Sequence, residues 1–193
     1  MLVPNPLSIT HRQLYTLAQQ AQGKISHLYL HWTAGHYGQA FDDYHINIDR
    51  DGQVYQTCAA LTSRKSHTYR RNTGSIGIAL CCAYGASCGT GGKIDFGPEP
   101  PTAVQIEKMA QVIALLSMAL HLPISFSSVM THAEAACIDG YGPGSGDSEM
   151  RWDLLLLSDQ PQTSALRPGG VVLRGKALWY YELYRQRCLN QAA

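Results

Sequence analysis

At 193 residues the chain is long enough to bury one hydrophobic core, with room for a small appendage. Apolar residues make up 45% and charged residues 15%, an ordinary globular balance that excludes a disordered chain. A formal net charge of +1 excludes a dedicated polyanion binder, and the basic run Arg64, Lys65, Arg70, Arg71 reads as a solvated loop rather than a nucleic-acid patch.

Met1 to Thr10 holds two prolines and no apolar run, so it does not read as a secretory signal, and a soluble, cytoplasmically made protein is expected. Ser8 or Thr10 caps a first helix predicted through about Gln22 and stopped by Gly23. Ile25 to Trp32 reads as a strand, with Leu28, Leu30 and Trp32 on one face and His27, Tyr29 and His31 on the other. Tyr44 to Asp49 alternates, Arg50-Asp51-Gly52 signals a tight turn, and Gln53 to Cys58 returns antiparallel. Ser75 to Ala83 is another apolar strand, whose small Gly77 and Ala79 let something pack closely on one side.

A Gly-rich loop over 85–97 follows, and then Thr102 caps a helix predicted from Ala103 to about Leu120. That helix is apolar nearly all round, which makes it a core helix. The most apolar stretch, Met109 to Leu122, is interrupted by Gln111, Ser117 and His121 and is too short to cross a bilayer. Val129 to Ala135 has strand character, 139–146 is rich in Gly and Pro, and Arg151 to Leu157 is apolar again. Residues 158–170 form a turn-rich connector and Lys176 to Cys188 a terminal helix. Strands mixed with helices predict an α/β domain around a mixed central sheet flanked by helices, spanning 1–157, with 158–193 an extension packed on the same domain. The six cysteines show no CxxC spacing and are expected as free thiols in a monomer.

Three of the remaining polar residues stand out chemically. His31 ends a strand beside the loop Thr33-Ala34-Gly35, and His132 ends another short apolar segment. Asp153 lies between Trp152 and a run of leucines, where an ionised carboxylate needs a cation or a metal as partner. Two neutral imidazoles and one carboxylate with an open fourth position make a workable catalytic metal site. Spacing alone stops at a possible metal site, because the three are far apart in the chain.

Six short motifs occur in a telling order: His31–Gly35 (His-Trp-Thr-Ala-Gly), Tyr44–Gly52, Ser66-His67, Asn72–Leu80, Thr131-His132 and Arg151-Trp152-Asp153. Over residues 25 to 157 the chain resembles the amidase-2 family, which includes phage lysozyme-type amidases and peptidoglycan recognition proteins. The resemblance implies a Zn2+ ion held by His31, His132 and Asp153, and hydrolysis of the amide between N-acetylmuramic acid and L-alanine in peptidoglycan. It implies Tyr44 and Arg151 as catalytic groups, the latter a fixed cation for the oxyanion, and His67 as a cleft residue meeting substrate. Trp32 and Tyr141 are further candidates for substrate contact, with packing the plainer role for Trp32.

Two departures from the family pattern matter. The strand motif reads Gly77-Ile78-Ala79-Leu80, without the glutamate that some members use as acid/base, and Glu134 is the candidate replacement beside the plainer reading as a carboxylate on the surface or supporting a ligand from behind. The gap between His132 and Asp153 is long, and Asp147 in it competes as third ligand, though Arg-x-Asp reproduces the family's cation-x-ligand spacing. The resemblance leaves a non-catalytic peptidoglycan-binding module as the alternative. A released phage or prophage endolysin, or an exported effector with an immunity protein as partner, is the expected setting, with action at the cell wall or periplasm and neither nucleic acid nor stable membrane insertion involved.

Overall fold

The computed structural model describes residues 1–89, 93–158 and 165–192. In chain order it has β1 (Leu2–Val3), β2 (Leu7–Ser8), α1 (His11–Gln19), β3 (His27–Trp32), β4 (Ala40–Phe41), β5 (Ile46–Ile48), β6 (Val54–Gln56) and β7 (Ser75–Leu80). There follow β8 (Ser87–Cys88), β9 (Ile94–Asp95), α2 (Ala103–Leu120), β10 (Val129–Thr131), α3 (His132–Asp139), β11 (Leu156–Ser158), β12 (Leu166–Pro168) and α4 (Gly169–Ala192). Residues 90–92 of the expected Gly-rich loop, 159–164 of the expected connector and the Cys188 side chain lie outside the described residues.

The main sheet has six strands in the order β10-β3-β7-β5-β6-β2. Its centre is parallel, β10 with β3, β3 with β7 and β7 with β5, while β5–β6 and β6–β2 are antiparallel. This is the mixed sheet with flanking helices that the sequence predicts, and the β5–β6 hairpin falls where Arg50-Asp51-Gly52 signals it. Alternation sorts the strands cleanly. Leu28, Leu30 and Trp32 of β3, Ile46 and Ile48 of β5, and Ile76, Ile78 and Leu80 of β7 join one buried core with Met109, Val112, Ile113 and Leu116 of α2. The opposite face carries Tyr29 and His31, and in register beside them Gly77 and Ala79 of β7. Core residues of this size each stabilise the fold by about 1.5–3 kcal/mol on burial.

Helix α2 has the length and composition of a bilayer span, yet most of it is buried inside the protein, as its all-round apolarity requires. Thr102 caps it, its side chain accepting from the Gln105 backbone, and Thr10 caps α1 in the same way with Gln13. Gln105 is fully buried and satisfied: its Nε2 donates to Ile48 O at 3.0 Å and to Cys81 O at 3.1 Å. The five described cysteines are unpaired.

Two segments differ from the sequence-based expectation. The strand character of Val129–Ala135 ends at Thr131, because Thr131 and Glu134 form a third capping box that starts α3 at His132. The terminal helix begins at Gly169 rather than Lys176. Its residues Val172, Leu173 and Ala177 belong to the main core, Lys176 pairs with Glu107 of α2, and Tyr180 donates to Glu107 at 3.0 Å.

Candidate metal centre

The parallel pairing of β10 with β3 sets Thr131 beside Leu30. The next residue of each strand is a histidine, so His132 and His31 emerge side by side at one end of the sheet, ring centroids 4.7 Å apart. Asp153 arrives from the loop after α3 and is held there in part by backbone, its carbonyl accepting from Ala133 N at 3.3 Å. Leu154, just after it, takes a left-handed backbone (φ 57°) with its side chain fully buried. The Leu154 carbonyl fills the space a Cβ on Gly169 would need, which is why α4 starts on a glycine.

Asp153 Oδ2 lies 3.1 Å from His31 Nδ1 and 3.1 Å from His132 Nδ1, and all three side chains are buried. Ligand atoms held about 2.0–2.1 Å from a tetrahedral ion sit roughly 3.3 Å from one another. The spacing of Nδ1, Nδ1 and Oδ2 therefore suits a shared ion. Among the described residues this is the one group of His, Cys, Asp or Glu side chains close enough to do so. Asp147 is exposed, and its Oδ1 accepts from Glu149 N at 2.8 Å, outside the group.

Electrostatics supplies the required protonation states. Burial pushes the His31 ring down to about 4, with His132 adding to the fall and Asp153 opposing it. Burial by itself raises the Asp153 carboxyl, but the facing His132 and His31 outweigh it and hold the acid below the usual carboxylate range. A neutral imidazole and an ionised carboxylate at neutral pH are what a metal ligand set needs.

The other expected site residues divide into two sets. Tyr44 is near, its ring centroid 5.0 Å from His31 and its hydroxyl donating to Trp32 O at a long 3.4 Å. Burial, reinforced by Asp153 and Asp43, pushes its phenol well above 10. Tyr141 is also near, its hydroxyl 3.5 Å from His132 Nε2 and its ring edge-on to exposed Tyr69 at 5.8 Å. Arg151 is exposed, its Nη1 donating to Glu149 O at 2.6 Å, although its charge still bears on Tyr44 and Tyr141.

Trp32 and His67 are both buried. Trp32 is 4% exposed and packs edge-on against Trp152 and Phe96, the geometry of a core residue. His67 is 5% exposed with both ring nitrogens engaged, Nδ1 by Thr68 Oγ1 at 2.9 Å and Nε2 by Ser75 Oγ at 3.4 Å. Its ring lies over Gly77, where a Cβ would come within 2.5 Å of it, so this is the close packing that Gly77 permits. Glu134 is committed elsewhere: one oxygen accepts from Thr131 N at 3.0 Å, and both meet Arg174 at 2.7 and 2.8 Å. That is the arrangement of a capping and ion-pairing carboxylate.

Sequence reasoning missed three residues that shape the site. Thr68 Oγ1 sits 3.2 Å from His31 Nε2. Asn72 Oδ1 accepts from the backbone of His67 and Thr68 and holds that loop against the sheet. His45 is buried with Nδ1 accepting from Gly77 N at 3.0 Å and Nε2 facing Ser63 O at 2.7 Å. Thr68 and Asn72 sit in a loop with no periodic pattern, and the one available cue is their closeness in sequence to His67.

Among solved structures, similarity extends to the Ph2119 endolysin from Thermus scotoductus MAT2119 bacteriophage Ph2119, at 20% identity and a TM-score of 0.42 over 58% of this chain and 73% of that one. It extends also to PGRP-Hd from Alvinella pompejana, at 16% and 0.39 over 67% and 79%. Peptidoglycan recognition protein-LE in complex with tracheal cytotoxin gives 16% and 0.43 over 75% and 81%. No curated protein matches the chain closely enough to count as a relative. Residues 21–145, more than half of the chain and including His31, Tyr44 and His132, match the profile described as N-acetylmuramoyl-L-alanine amidase, and the chain belongs to that Amidase_2 family.

Proposed function

We propose that the protein is a zinc-dependent N-acetylmuramoyl-L-alanine amidase that cuts peptidoglycan between the lactyl group of N-acetylmuramic acid and L-alanine. The observation that carries this reading is the convergence of His31 Nδ1, His132 Nδ1 and Asp153 Oδ2 within 4.8 Å of one another, on a chain of this family. Bound there, zinc supplies a Lewis acid at the scissile carbonyl and a water whose pKa is brought near neutrality.

The protein's own residues do the rest. Tyr44, kept protonated by burial, donates a hydrogen bond to the carbonyl oxygen as charge develops on it, the kind of preorganised donor that favours the transition state. Arg151, released from Glu149, adds positive charge from the rim. Tyr141, with Tyr69 edge-on to it, forms an aromatic wall beside His132 against which a sugar or stem-peptide residue can lie. Ala79 takes the strand position next to His31, and Glu134 is tied to Arg174.

The test is substitution of His31, His132, Asp153 and Asp147 by Ala, one at a time, with zinc content and release of free L-alanine amino termini from purified peptidoglycan both measured. The first three variants lose zinc and activity, and Asp147→Ala keeps both. Mass spectrometry of the products distinguishes this amide from a peptide bond within the stem. A zinc-loaded wild type that binds sacculi and leaves them uncut would instead mark a binding module. The proposed setting is wall lysis, as a released endolysin or as a delivered effector that an immunity protein restrains.

A further inference from the structure

His31 can serve as a ligand through Nδ1 only in one of its two neutral forms, with the proton on Nε2 and a lone pair on Nδ1. The hydrogen-bond chain leading away from Nε2 decides which form is present, and it can be followed from its far end. Ser75 Oγ donates to the Arg71 carbonyl at 2.7 Å, and a carbonyl can only accept. A hydroxyl has one hydrogen, so Ser75 Oγ meets His67 Nε2 at 3.4 Å as an acceptor, and that nitrogen carries the ring proton. His67 is buried among the imidazoles of His31 and His45, a setting that disfavours a second proton, so its Nδ1 accepts. The donor to it is Thr68 Oγ1 at 2.9 Å. With its hydrogen used there, Thr68 Oγ1 meets His31 Nε2 at 3.2 Å as an acceptor, so His31 holds its proton on Nε2.

We propose that Thr68 is a positioning residue of the metal centre: the one-way chain from the Arg71 carbonyl through Ser75, His67 and Thr68 selects the Nε2-protonated form of His31. Nδ1 is thereby bare toward Asp153 before any ion arrives. A lone pair 3.1 Å from a carboxylate oxygen is repulsive unless a cation lies between them, so the relay biases the site toward holding an ion. His132 is built differently. Among the described residues its Nε2 faces only the rotatable hydroxyl of Tyr141 at 3.5 Å, which can donate or accept, so nothing prevents His132 from donating a hydrogen bond to Asp153 through Nδ1–H when no ion is present. Thr68 is fully buried, and Asn72 fixes its backbone by accepting from Thr68 N at 2.8 Å, so the hydroxyl cannot swing to another partner without moving the loop.

This inference rests on His31 being a ligand, and the experiment separates the two ideas. Histidine tautomers are read from two-bond 1H–15N correlation spectra of the metal-free, 15N-labelled full chain at neutral pH. Zinc affinity is read by competition with a chromophoric chelator. In the wild type His31 is Nε2-protonated. In Thr68→Val, which keeps the shape and removes the hydroxyl, that preference is lost and zinc binds about 10- to 100-fold more weakly, the range typical of outer-shell partners. Thr68→Ser restores both. A wild-type spectrum with His31 protonated on Nδ1 overturns the relay without any variant, so the idea stays testable even if Thr68→Val fails to fold. A Thr68→Val protein with unchanged tautomer and unchanged affinity overturns it as well. A wild type that takes up no zinc, while its His31 tautomer still switches in Thr68→Val, keeps the relay and sinks the amidase reading.

Discussion

At Gly77 the absence of one methyl group decides where His67 sits. A Cβ there would fall 2.5 Å from the His67 ring, well inside contact distance, and the ring is held between Thr68 and Ser75 with no room to retreat. Gly77→Ala is therefore expected to destabilise the fold by about 1–3 kcal/mol, the usual cost of overpacking, measured by urea denaturation. Protonation is the second property argued at single residues. His31 and His45 are each held near 4 in the folded chain, chiefly by burial, against an ordinary value of 6.5. Between those values the unfolded chain binds protons that the native rings refuse, so stability falls as pH drops through that window and these two rings add no further loss below it. Asp153 acts later: its folded value is depressed, so its contribution fades only as pH falls below the ordinary carboxylate range. Metal-free protein should have a lower urea midpoint at pH 4.5 than at pH 7, and equal midpoints would contradict the buried, neutral state of both rings.

Helix α3 brings together a candidate ligand and a brace. His132 is its first residue, and Glu134 within the same turn closes the cap on Thr131 and grips Arg174 of α4 with both oxygens. Gly170 makes room for that carboxylate, since a Cβ there would overlap it. Glu134→Gln is expected to lower stability by about 2 kcal/mol, less than for a wholly buried pair because both side chains keep some solvent contact. Zinc content and the pH profile of any amidase activity should stay unchanged, whereas an acid/base role would alter that profile. The same helix shows where sequence reading runs out. Strand β3, the β5–β6 hairpin and α2 are legible because periodicity, turn residues and caps agree with one another. Helix α3 is hidden because Thr131-x-x-Glu134 lies inside a run that also alternates like a strand. The early start of α4 is hidden because two glycines argue against a helix until Leu154 and Glu134 are seen pressing on them. The two histidines can be picked out at strand ends and Arg-x-Asp favours Asp153 over Asp147, but the meeting of Asp153 with His31 is a contact across 122 residues that appears only in the fold. Thr68 leaves no trace beyond its place next to His67, because a hydroxyl in a loop gains meaning only from what it touches.

Across the whole molecule, α4 belongs to the same core as the sheet. Val172, Leu173 and Ala177 are buried in it, and Arg174 reaches both Glu134 and the Val129 carbonyl at the start of β10, the strand that leads into His132. Ending the chain at residue 168 uncovers that side of α2 and removes the partner of Glu134. The loss is expected to exceed about 4 kcal/mol, a fall in Tm of roughly 10 °C or more by calorimetry. A truncated protein melting like the full chain would show α4 to be dispensable. The pairing of β10 with β3 has a last consequence. His31 and His132 are neighbours only because Thr131 stands opposite Leu30. A slip of one residue shifts one strand along the other by about 3.3 Å and turns every side chain on it to the opposite face. Such a joint does not loosen by degrees: the placing of the two histidines side by side is all-or-nothing, latched by backbone hydrogen bonds. Small strains elsewhere in the protein should leave the distance between the two imidazoles untouched until the sheet itself gives way.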